Sequence, residues 1–157
     1  MDTLFYMCCE IMYTLGNLLG LSYKEVCVIG NIYVQGALLL AAAAVPLWYA
    51  LKQKSHYILK TAASVNVLCV SALVLYFCFR YAPPLVASFD RCVEDLKSLA
   101  EAWQTTYVAV NIVFFVLWWG ASIFWNLLTT IYLSEGKNRV AMVMLLLHVA
   151  FIVFLCV

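Results

Sequence analysis

Residues 102–134 read AWQTTYVAVNIVFFVLWWGASIFWNLLTTIYLS, a run of 33 positions without one charged side chain. A helix rises about 1.5 Å per residue and needs about 20 apolar residues to cross about 30 Å of hydrocarbon. This stretch is more than long enough. Three further uncharged runs lie elsewhere: Val26–Leu51 (26 residues), Thr61–Phe79 (19) and Val140–Val157 (18). Barrel strands would alternate apolar and polar residues, whereas unbroken apolar runs favour helices, which satisfy their own backbone groups in lipid. The expected fold is all-α: an integral membrane helical bundle with four core transmembrane helices and an N-terminal amphipathic helix.

Composition points the same way. Of 157 residues, 67% are hydrophobic and 11% charged, against about 45–50% and about 25% in soluble domains. Mean hydropathy is +0.99. A soluble core of this length cannot hide so much apolar surface. That excludes a soluble enzyme, a disordered tail and a nucleic-acid binder. The net charge of +1 argues for no particular charged partner.

Local signals set the boundaries of one membrane domain over 1–157. An amphipathic helix covers 1–21 and the first span 23–51, started by the capping box Ser22–Glu25 and kinked near its end by Pro46. The second span covers 61–79 and stops before Pro83-Pro84, which disfavour helix. An outer amphipathic helix leads without a break into the third span, together 88–133. Ser134–Lys137 turns the chain into the fourth span, 139–157. The loops 52–60 and 134–139 are rich in Lys and Arg, so the positive-inside rule makes them cytoplasmic and the middle connection external. No Asn-x-Ser/Thr sequon occurs, in keeping with a bacterial inner membrane.

The first helix has no basic start and carries Asp2 and Glu10, unlike a signal peptide. Its polar side holds Thr3, Tyr6, Glu10, Tyr13, Thr14 and Asn17. Three readings stay open: a helix lying on the outer leaflet, a fifth transmembrane span, or packing against the other helices. In the outer amphipathic helix, Phe89, Cys92, Val93, Leu96, Leu99 and Trp103 recur at helical spacing. On its other side Arg91 and Asp95, and Lys97 and Glu101, are placed to pair four apart.

The intramembrane polar residues carry the functional signal. At about 100° per residue, Gln104, Asn111, Trp118, Ser122, Asn126 and Thr129 fall on one stripe of the third span. The first span adds Asn31 and Gln35 on one face, and on another the small residues Gly30, Ala37, Ala41 and Ala44, which suit close helix packing. Asn66 and Ser71 lie in the second span. Either the stripe is interhelical glue, or it lines a wet pathway with Trp118 as constriction and Glu10 at the mouth. His148, alone in the fourth span, bonds a neighbour or senses pH. Haem ligation would need a second His at depth, and His56 lies in a loop.

The cysteines Cys8, Cys9, Cys27, Cys69, Cys78, Cys92 and Cys156 form no Cys-x-x-Cys and no metal-ligand spacing. One disulfide between Cys27 and Cys92 is open. No catalytic constellation, cofactor or metal site is expected. The expected partners are the lipid bilayer, further copies of the chain, and another membrane protein. The leading expectation is a homo-oligomeric pore or ion channel. The alternative is a non-catalytic accessory or scaffolding subunit. At the level of architecture alone the chain is similar to holins and to membrane effectors of phage defence.

Overall fold

The computed structural model describes residues 2–52 and 57–156. It is 91% helical, with six helices and no strand among the described residues. Helix α1 is Asp2–Leu19, α2 Tyr23–Lys52, α3 Tyr57–Arg80, α4 Leu85–Ala102, α5 Tyr107–Ser134 and α6 Asn138–Cys156. Three of them, α2, α3 and α5, are long and apolar enough to cross a membrane, at 30, 24 and 28 residues. Helix α6 is apolar over the shorter stretch Asn138–Phe154. Lys54 and His56 lie outside the described residues, as do the side chain of Cys156 and the structure of Val157.

The ends of the helices follow from their caps. Helix α1 closes on Gly20, whose φ of +68° suits glycine, while Leu21 N–H donates to the Gly16 carbonyl at 3.0 Å. That is a Schellman closure. A Cβ at Gly16 would stand 2.9 Å from the Leu21 carbonyl oxygen, so the turn needs glycine there as well. Helix α2 starts on the capping box: Ser22 Oγ accepts from Glu25 N–H, and the Glu25 carboxylate accepts from Ser22 N–H at 2.8 Å. Gly136, at φ +74°, ends α5 before α6.

Two expectations fail here. The helix over 88–133 is broken between Ala102 and Tyr107: Gln104 takes φ +51°, and Thr106 caps α5 by accepting from Ala109 N–H at 3.2 Å. The polar run Gln-Thr-Thr competes for backbone bonds and offers a cap, a signal hidden beneath an uncharged stretch. Pro46 lies inside helix α2. Both long helices also carry π-helical segments, Ile29–Val34 in α2 and Ile112–Trp118 in α5. Lastly, Asp95 does not turn to Arg91. It accepts from Arg80 at 2.9 Å and from the Tyr81 hydroxyl at 2.8 Å, while Arg91 donates to the Arg80 carbonyl.

The chain divides into two compact units. The first joins the residues up to Gly36 with Tyr76–Trp119. Its core takes Val26, Val28 and Ile32 from α2, Leu96 and Ala100 from α4, and Val110, Ile112 and Phe115 from α5. Tyr13 stacks on Tyr23 at 4.4 Å between ring centroids, and Lys24 pairs with Asp90 at 2.6 Å. The second unit takes Ala37–Leu75 and the residues from Gly120 onward. Ala50, Leu59, Ala62, Ala63, Leu133, Ala141 and Leu145 form its apolar cluster.

Candidate functional site

The first unit holds a cavity of about 130 Å³ walled by α1, α2, α4 and α5. Asn31, Gln35 and Asn111, three residues of the expected pathway, converge on it, and no charged residue lines it. Both π segments border it: Asn31 and Ile32 belong to one, Phe115 and Val116 to the other. Gln35 Nε2 donates to the Phe115 carbonyl at 3.0 Å and so ties the two segments. Such π turns free carbonyls that the α-helical ladder would use, and they are common at functional sites. Gln35 Oε1 is buried and has no partner among the described residues. Asn111 donates to the Tyr107 hydroxyl at 3.3 Å.

Four cysteines, Cys8, Cys9, Cys27 and Cys92, line the same cavity. This convergence escapes a reading by spacing, because the cysteines come from three helices. Tyr23 donates to Cys9 Sγ at 3.4 Å. The disulfide left open between Cys27 and Cys92 is not formed; both thiols are free. Burial, and then the Asp95 carboxylate, push the Cys92 thiol up to about 12. Burial and the bond to Asp95 likewise raise the Tyr81 phenol. The cavity presents thiols, amides and phenols. Among the described residues no His, Cys, Asp and Glu group is placed to hold a metal ion.

The second unit holds a buried polar network across three helices. Asn66 of α3 donates through Nδ2 to Asn126 Oδ1 of α5 at 2.9 Å. Asn126 Nδ2 donates in turn to the Ser122 carbonyl at 2.8 Å. His148 Nδ1 of α6 lies 2.7 Å from Asn66 Oδ1; since that oxygen only accepts, Nδ1 carries the proton. Asn66, Asn126 and Thr129 are fully buried and His148 is 3% exposed. Thr129 donates to the Trp125 carbonyl at 2.8 Å. Asn66 is the hub that the list of stripe residues leaves out, although a lone Asn at mid-span is itself the signal.

The stripe thus does not run as one line. Gln104 is exposed in the α4–α5 turn. A π-helix closes its bonds at i+5 and advances less per residue than an α-helix, so the wheel loses phase between Asn111 and Ser122. Trp118 does not line the cavity; it is 6% exposed and stacks on Phe114 at 5.1 Å. Glu10 is exposed on α1 beside Met7, Ile11 and Thr14. Of the small face, Gly30 lies against the Met12 side chain, but Ala37, Ala41 and Ala44 are exposed. The side of α2 that packs is instead Gly36, Leu39, Ala43, Pro46 and Ala50. Ala37, Ala41 and Ala44 look outward.

No protein-family model, curated protein or solved structure matches the chain.

Proposed function

We propose that the chain is a four-span membrane protein, with α6 as the fourth span, acting as a non-catalytic scaffolding subunit that associates with copies of itself. The observation that carries this reading is the Asn66–Asn126–His148 network. Its residues are buried and bonded to one another, as interhelical glue would be and as the lining of a wet path would not. The outward Ala37, Ala41 and Ala44 supply a small-residue face for a helix of the next copy. Native mass spectrometry tests this: wild type should release oligomers from detergent, and Ala41→Leu should shift them toward monomer. A monomeric wild type overturns the self-association. On the same reading Lys52, Lys60, Lys137 and Arg139 face the cytoplasm, in a bacterial inner membrane. Reporters fused in 52–60 should read cytoplasmic and those near Asp90 external.

A second reading, a pore between copies, is favoured by the convergence of Asn31, Gln35 and Asn111 on one uncharged cavity. Glu10 would then ring the mouth and favour cations, and the likeness to holins and phage-defence effectors would follow function as well as architecture. Ion flux into liposomes separates the two readings.

A further inference from the structure

The polar network has a side turned away from its own bonds. His148 Nδ1 is committed to Asn66, which fixes the tautomer and leaves Nε2 as a lone-pair acceptor. Nε2 is buried without a partner among the described residues, and so is Ser122 Oγ. The two residues are 3% and 2% exposed. Both line one hollow of about 340 Å³, together with Ala121, Trp125, Leu147 and Phe151. That volume lies within the range of small-ligand sites, about 300–1,000 Å³. Trp125 offers nothing further, because its indole N–H already donates to the Met144 carbonyl at 2.8 Å. A buried polar atom left unpaired costs about 1–3 kcal/mol, and here two such atoms belong to residues that line one space.

We propose that this hollow binds the hydroxyl head of a neutral single-chain lipid. A hydroxyl both donates and accepts, the chemistry that Nε2 as acceptor and Ser122 Oγ–H as donor each lack a partner for. A carboxylate or ammonium head fits poorly: no charged residue lines the hollow, and an unpaired ion at membrane depth is expensive. Leu147 and Phe151, 54% and 43% exposed, form an apolar rim along which the chain of the lipid runs. The proposal rests on the reading that α5 and α6 lie in the bilayer.

The probe is a diazirine-bearing long-chain alcohol, photolysed with the full-length protein in phosphatidylcholine nanodiscs. Labelled positions are read by peptide mass spectrometry. Labelling should map to residues 121–125 and 147–151, and excess 1-dodecanol should compete whereas dodecane and laurate should not. Ser122→Ala removes a hydroxyl that makes no bond in the chain, so it should fold normally. It should cut labelling about three- to tenfold, the worth of one neutral hydrogen bond. Ala121→Phe should fill the hollow and abolish labelling there. Equal competition by dodecane, undiminished labelling of Ser122→Ala, or labelling spread evenly over the apolar helices would overturn the proposal. Extraction of the protein from membranes by carbonate alone would instead overturn the membrane reading beneath it.

Discussion

At the scale of the residue, Asn66 matters most. Its amide joins α3 to α5 and α6 at once, so Asn66→Leu leaves Asn126 Oδ1 and His148 Nδ1 without partners. Single bonds of this kind in membranes are worth about 0.6 kcal/mol, and orphaned buried groups cost more. The variant should lose about 1–2 kcal/mol in reversible denaturation from mixed micelles. Asn126→Leu should lose a similar amount, and the double variant less than the sum, because the two share a bond. Strict additivity would show that the network is not cooperative. Cys92 gives a second test. With its thiol pushed up to about 12, little thiolate exists at pH 8, so iodoacetamide should label it slowly until the protein is denatured. The sign for stability follows. The neutral thiol is favoured by the fold, so this contribution is complete below the ordinary cysteine pKa of about 8.5. It fades as pH climbs from there through about 12. Rapid labelling of the native protein at pH 8 would contradict that burial.

At the scale of the element, what the sequence made legible and what it hid divide along physical lines. Charge-free runs and caps are local, so although α3 starts at Tyr57, ahead of the expected 61, the start of α2, the stop of α3 and the start of α6 are readable from Ser22, Pro83 and Gly136. The break at Gln104 was not, because hydropathy measures transfer to lipid, and Gln-Thr-Thr cost it little amid so many apolar neighbours. The π segments were hidden for another reason: they arise where α2 and α5 meet around a cavity through Gln35 and the Phe115 carbonyl, and no single helix encodes that meeting. The helical wheel consequently keeps Asn126 and Thr129 together, and both are buried, but it does not hold back through Trp118 to Gln104. Two substitutions probe the break. Thr106→Ala removes the cap of α5 and should cost about 1 kcal/mol. Gln104→Gly should be neutral or stabilising, because a left-handed residue with a Cβ costs about 1 kcal/mol relative to glycine. Amide exchange at Tyr107–Ala109, faster in Thr106→Ala, is the local check.

At the scale of the whole molecule, three helices are long and apolar enough to cross a membrane, and the structure adds which polar residues look inward. Ala43 is fully buried and Ala41 exposed, so the two faces of α2 should respond in opposite ways. Ala43→Leu should destabilise the chain by about 1–3 kcal/mol through overpacking. Ala41→Leu should leave the chain intact and alter only its assembly. Loss of stability in Ala41→Leu together with tolerance of Ala43→Leu would reverse the assignment. On the function proposed above, the polar residues of α5 hold helices together and do not line a conducting path. Ion flux through liposomes reconstituted with the wild-type protein, followed across pH and voltage, tests it most directly. Leakage no greater than that of protein-free liposomes is expected. A sustained conductance that Asn126→Leu abolishes while the protein stays folded would contradict it.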